Sequence, residues 1–128
     1  MSTILKRRKS FADLLAQEKS VLAPCVFDAA SAHVAELAGF KAICLSGTEL
    51  SLAVNGLPDL GILNLAETEW VVSRITETCS LPLIVDVEDG FGGPQNVFRT
   101  CRRLAAAGHL RHEEIIVRLV VAQVLHLA

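Results

Sequence analysis

The chain has 128 residues, of which 52% are hydrophobic and 20% charged, with a formal net charge of −2 at pH 7. This composition suits a globular domain, or part of one, and is too apolar for a disordered chain. The small negative charge gives no electrostatic footprint for nucleic acid or an anionic membrane, so neither is expected as a partner.

Lys6, Arg7, Arg8 and Lys9 form a short basic run, read as the solvated start of a helix. Residues 10–18 read as that helix, with Phe11, Leu14 and Leu15 on one face. Residues 21–27, VLAPCVF, are apolar but contain Pro24, which argues for an entry segment or short strand rather than a central one. Asp28 and Ser31 are N-cap types for the helix that follows; Val34, Leu37 and Ala38 fall at helical spacing, and Gly39 is a stop. His33 in that helix is expected to face solvent. Residues 40–47 form the next strand. Residues 48–61 read as loop-like at their end, where Asn55-Gly56 and Pro58-Asp59 are turn pairs. Asn64 and Glu67 have capping-box spacing and open a helix with Trp70, Val71 and Ile75 inward. Residues 83–86 are a third strand, and 95–107 a third full helix closed by Gly108.

Cys25, Cys44, Cys79 and Cys101 lack the short spacing of a zinc or redox motif. Their apolar contexts predict buried thiols in a reducing compartment. The N-terminus lacks a signal-peptide pattern, and residues 115–128, broken by Arg118, Gln123 and His126, are too short to span a bilayer. The expected location is the cytoplasm.

Alternation of short apolar strands with helices predicts a parallel sheet built from βαβ units. Ligands of such sheets sit at the carboxyl ends of the strands. Asp28, the run Ser46-Gly47-Thr48, and the pair Asp86 and Glu88 all fall there. In an extended segment Asp86 and Glu88 would point the same way, with Val87 turned aside. Two carboxylates at one spot repel, and a magnesium ion would relieve the conflict; a solvated acidic turn is the alternative. Ser46, Gly47 and Thr48 could hold an oxyanion through N–H groups and hydroxyls. The glycines of EDGFGG do not have the spacing of a dinucleotide or P-loop fingerprint. No serine stands in a nucleophile-elbow context.

The segments FDAASAHVAELAGFKAICLSG, GLPDLGILNLAE and LPLIVDVEDGFGGPQNVFRTCRRLAAAG together resemble the isocitrate lyase and phosphoenolpyruvate mutase superfamily. The nearest branch is that of 2-methylisocitrate lyase, dimethylmalate lyase and oxaloacetate decarboxylase-like enzymes. The resemblance runs from about residue 11 to residue 108. It implies that Ser46, Gly47 and Thr48 bind the carboxylate end of a 2-oxo acid or its enolate, with Asp59 lining that pocket. It implies Asp86 as the principal ligand of Mg²⁺, with Glu88 in place of a second aspartate and Phe91 in place of a tyrosine. The implied chemistry makes or breaks a C–C or C–P bond beside an enolate, on a small carboxylate or 2-oxo acid. The full-length family is expected to form homo-oligomers.

The resemblance ends at Gly108. The expected fold class is α/β: three βα units of an incomplete (β/α)₈ barrel over residues 1–108, then a divergent helical apolar tail over 109–128. A fourth strand ending in acids and a Lys-Cys-Gly-His loop carrying the acid–base residue are both missing from this reading. Cys101, His109, His112 and His126 do not stand in for that loop, and no catalytic residue is assigned. The chain reads as a truncated lyase; the alternative is a non-catalytic piece that binds a full-length relative through an exposed sheet face.

Overall fold

The structure, a computed structural model, describes residues 11–108 and the strand at 115–118. The basic run at 6–9 and the histidines at 109, 112 and 126 lie outside the described residues. Four parallel strands lie in the order β1 (Cys25–Val26), β2 (Ile43–Leu45), β3 (Leu83–Asp86) and β4 (Ile115–Arg118). Five helices accompany them: α1 (Phe11–Gln17), α2 (Ala29–Leu37), α3 (Gly47–Asn55), α4 (Leu65–Thr78) and α5 (Pro94–Ala107). The chain is therefore α/β with a parallel sheet, as the alternation of elements predicts.

Register fixes the two faces of the sheet. Val26 pairs with Leu45 and Leu45 with Val85, while Ile43 pairs with Leu83. All five are buried, and with Val71, Val72, Ile75 and Leu104 they form the core between sheet and helices. Burying one such aliphatic side chain contributes roughly 1.5–3 kcal/mol. The next row, Cys25, Cys44 and Ile84, pairs across the same strands and points to the opposite, more open face, because side chains alternate along a strand. Cys25 is exposed there and Cys44 only partly covered; of the four cysteines expected to be buried, Cys79 alone is fully so. An apolar context in sequence does not say which face of the sheet a strand residue occupies.

Local chemistry sets the helix starts. Asp28 caps α2, accepting from the Ser31 N–H at 2.7 Å, while the Ser31 hydroxyl accepts from the Asp28 N–H at 3.2 Å. Asn64 and Glu67 form the expected capping box of α4. Each such cap is worth about 0.5–2 kcal/mol. Gly39, at φ +85°, turns the chain after α2 in a conformation that a side chain would oppose.

Several expectations are corrected. In α2 the buried residues are Ala32 and Ala35, and Val34 and Leu37 face solvent; small side chains let that helix lie close to its neighbours. Trp70 is 65% exposed, and α4 instead buries Thr68, Val71, Val72, Ile75 and Thr76. Leu14 is buried in α1 while Leu15 is exposed. Residues 47–55, not assigned a helix from sequence, form α3. Finally, residues 115–118 of the expected helical tail are a fourth strand, paired in parallel with β3. Ile115, Ile116 and Val117 are β-branched, and the edge of β3 offers them a ladder of backbone partners.

Candidate functional site

The carboxyl ends of β2 and β3 lie side by side, because Leu45 pairs with Val85. Ser46 and Asp86 are the next residues on each strand. An open cleft of about 270 Å³ at this edge is lined by Gly47, Leu50, Asp59, Gly61, Leu63, Thr68, Asp86, Glu88 and Phe91. Of the six residues named from sequence, Gly47, Asp59, Asp86 and Glu88 meet here. Thr48 stands beside them, its hydroxyl 3.5 Å from Asp59 Oδ2. Ser46 is the N-cap residue of α3 but gives no side-chain cap; its hydroxyl donates to the Glu49 carboxylate instead. Asp28 is occupied in capping α2 and is not among the cleft residues.

The extended-strand argument holds through Val87, which is fully buried and turned away from the cleft. It fails at Glu88, where φ is +52° and the chain has left the strand. The turn is held locally: the Glu88 N–H donates to Asp86 Oδ1 at 3.2 Å, the Gly90 N–H to the Val87 carbonyl at 2.7 Å, and the Phe91 N–H to Asp89 Oδ1 at 2.9 Å. Phe91 also has positive φ, +61°. Two side-chain-bearing residues in the left-handed region cost about 1–2 kcal/mol each, so their surroundings must hold them there.

The carboxylates are crowded. A Cβ built on Gly47 would collide with Glu88 Oε1 and lie 2.8 Å from Asp59 Oδ2, so both acids close on the first residue of α3, which only glycine can occupy. Glu88 is hydrogen-bonded to Asp59, and its pKa is pushed from the ordinary 4.5 up to about 7. Burial is the largest cause, followed by the hydrogen bond and charge of Asp59 and then the charges of Asp86 and Asp89. Among the described residues, no lysine or arginine forms an ion pair with these acids; the four ion pairs all lie elsewhere. Beside them, the uncapped N-terminus of α3 offers first-turn N–H groups that suit an anion. The cleft can thus take a cation on its acidic side and a carboxylate at the helix end.

That donor set fits a magnesium ion in part. Among the described residues, no three His, Cys, Asp or Glu side chains are gathered into a closed ligand cage. Magnesium does not need one: it is held by one or two carboxylates and keeps several waters for a substrate to replace. The apolar wall of Leu50 and Leu63, the buried Thr68, and the contact of Glu88 with Asp59 had no signal in the sequence. They are brought in by α3 and by the loop after it.

A parallel sheet with an acidic cleft at its carboxyl edge defines an α/β protein built to bind a small charged ligand. Its sequence matches the phosphoenolpyruvate phosphomutase family over residues 11–110, and the chain belongs to that family. It is 36% identical to an oxaloacetate decarboxylase of Bradyrhizobium sp. (strain BTAi1) over 106 residues, covering 83% of this chain and 37% of that protein. It is 47% identical to the 2-methylisocitrate lyase of Vibrio cholerae over 77 residues, covering 60% of this chain and 25% of the relative. Among solved structures, it is similar to 2,3-dimethylmalate lyase, a member of the PEP mutase/isocitrate lyase superfamily, with a TM-score of 0.65 and 37% identity over 69% of this chain and 32% of that one. It is likewise similar to phosphonopyruvate hydrolase in complex with oxalate and Mg²⁺, at a TM-score of 0.63 and 38% identity over 67% and 30% of the two chains. The chain spans about a third of the length of the relatives it matches.

Proposed function

We propose that this chain carries the metal- and oxo-acid-binding part of a magnesium-dependent carbon–carbon lyase, acting on 2-hydroxy di- or tricarboxylates or on 2-oxo acids through an enolate. The observation that supports this most is the convergence of Asp59, Asp86 and Glu88 on the N-terminus of α3. The relatives named after oxaloacetate and 2-methylisocitrate, and the similar structure holding oxalate and Mg²⁺, point to the same ligand chemistry. The four parallel strands would then be one arc of a (β/α)₈ barrel, whose active sites lie at this edge.

Asp86 would be the principal magnesium ligand, with Glu88 acting directly or through a water. The ion would supply electrostatic stabilisation to oxyanion charge developing on the substrate. Gly47 and Thr48 would orient the substrate carboxylate with N–H groups and a hydroxyl. Asp59 would border the pocket and share a proton with Glu88 until the cation enters. General acid–base help is worth about 10²- to 10⁴-fold, and neither the sequence nor the cleft offers a residue for it. The 128-residue chain is therefore expected to bind metal and oxo acid without substantial turnover.

The test is to titrate the purified chain with Mn²⁺, alongside an Asp86→Asn variant, and to assay both with Mg²⁺ on oxaloacetate and 2-methylisocitrate. Metal binding that Asp86→Asn abolishes, with negligible turnover, is the expected result. Equal affinity in the two proteins would mean that the acids form only a solvated turn. Turnover at an ordinary enzymatic rate, lost in Asp86→Asn, would overturn the expectation that this chain binds without catalysing.

A further inference from the structure

We propose that Thr100, on α5, is a positioning residue for the acidic cleft: its hydroxyl holds the turn at residues 87–91 that presents Glu88 beside Asp59. Thr100 is 1% exposed, and its hydroxyl donates to the Gly90 carbonyl at 2.9 Å across a buried contact. No other side chain from outside the turn has a hydrogen bond to its backbone among the bonds of the described residues; the rest come from Asp86, Val87 and Asp89, within or beside the turn itself.

The turn needs such a hold. Glu88 and Phe91 both have positive φ, which relaxed backbone avoids for residues with side chains. Gly90, between them, has φ +86°, and a Cβ there would lie 2.6 Å from Val97 Cγ2 and 3.2 Å from Val97 Cα. The first turns of α5 therefore press directly against the backbone of Gly90. Val97 sets how close the turn lies, and Thr100 supplies the directional bond that sets its rotation. A buried carbonyl that loses its donor is costly to leave unmet, so without the hydroxyl this turn would rotate to find another. Rotation at Gly90 is transmitted within two residues to Glu88, whose carboxylate would then leave the Gly47–Asp59 side of the cleft. Groups that orient a metal ligand without touching the ion affect affinity in just this indirect way.

The metal readout rests on the function proposed above, and so a second readout free of metal is paired with it. Thr100→Val removes the hydroxyl at nearly constant shape, Thr100→Ala is a second hydroxyl-free variant if valine disturbs folding, and Thr100→Ser restores the donor. Mn²⁺ affinity and amide hydrogen exchange at Glu88, Gly90 and Phe91 are measured in each, with Asp86→Asn as the metal control. The expected result is faster exchange at those three amides in the hydroxyl-free variants, no change in α2 or α4, and Mn²⁺ affinity lower by about tenfold or more. Thr100→Ser should recover both properties. Unchanged exchange at the turn, unchanged affinity in a chain that does bind Mn²⁺, or failure of serine to rescue would each overturn the proposal. If native chain and Asp86→Asn bind Mn²⁺ alike, the metal reading fails and the exchange measurement alone decides the role of Thr100.

Discussion

Replacing Glu88 with glutamine should remove a pH dependence from the stability of the fold. The pKa of Glu88 is raised in the folded chain from 4.5 to about 7, by burial first and by Asp59 second. A raised carboxyl pKa means that the folded state favours the protonated form. The stabilising contribution is therefore fully present below about pH 4.5, where Glu88 is protonated in both folded and unfolded chains. It is lost as pH rises through 7, where the folded site must hold a charge beside Asp59 and Asp86. A shift of that size corresponds to about 3 kcal/mol at roughly 1.4 kcal/mol per pH unit. Glu88 is only half-buried and titrates jointly with Asp59, so solvent screening and coupling reduce the expected effect to about 1–2 kcal/mol. Glutamine keeps the length and can donate to Asp59 without a titrating proton. Urea unfolding across pH 4.5 to 8 should show Glu88→Gln close to the native chain at the acid end and more stable by about 1–2 kcal/mol at the basic end. Saturating Mg²⁺ should narrow that gap, since a bound cation stabilises the charged native site and not the variant. Two parallel pH profiles, or a variant less stable at pH 8, would refute the claim that Glu88 is held in a charge-averse position.

Gly47→Ala should keep the fold, judged by circular dichroism, yet weaken Mn²⁺ binding by about tenfold or more, because its Cβ would collide with Glu88 Oε1 and crowd Asp59. Leu104→Ala should cost about 2–5 kcal/mol in urea unfolding, since Leu104 is fully buried in the core. Trp70→Ala on the exposed face of α4 should stay within about 0.5 kcal/mol; equal costs at the two positions would contradict the assigned helix faces.

The order of strands and helices was legible because apolar runs and capping residues are local signals. Asp28, Asn64 and Glu67 mark helix starts through bonds to backbone only three residues away, and β3 begins and ends where its apolar run does. Helix faces were less legible, because the eye follows large apolar residues. Val34, Leu37 and Trp70 are large and face outward, while Ala32, Ala35 and Thr68 are small or polar and face inward. Close helix packing selects for small volume, which hydrophobicity alone does not report. Helix α3 was missed for a related reason. Leu50, Leu52 and Val54 alternate as a strand would, and its buried polar residue, Ser51, is satisfied by the Pro58 carbonyl at 3.2 Å, a contact no periodicity predicts. Residues 115–118 misled in the other direction, since an apolar spacing compatible with a helix was overridden by an available sheet edge.

The site divides along the same line. That Asp86 would stand at a strand end could be read from where its apolar run stops, and its neighbourhood to Ser46 follows from parallel pairing alone. What Glu88 does could not be read this way. The rule that alternate residues share a face assumes an extended chain, and the chain is no longer extended at φ +52°. Glu88 reaches the cleft by a turn, and that turn is set by Gly90 packing on Val97 and bonding to Thr100, residues of the following helix. Its partner Asp59 arrives from a loop that only the unforeseen α3 positions. The acid pair that looked like a strand motif is thus a product of two helix–loop contacts. Variants in α3 and α5 that never touch a ligand should accordingly change the cleft as much as variants within β3.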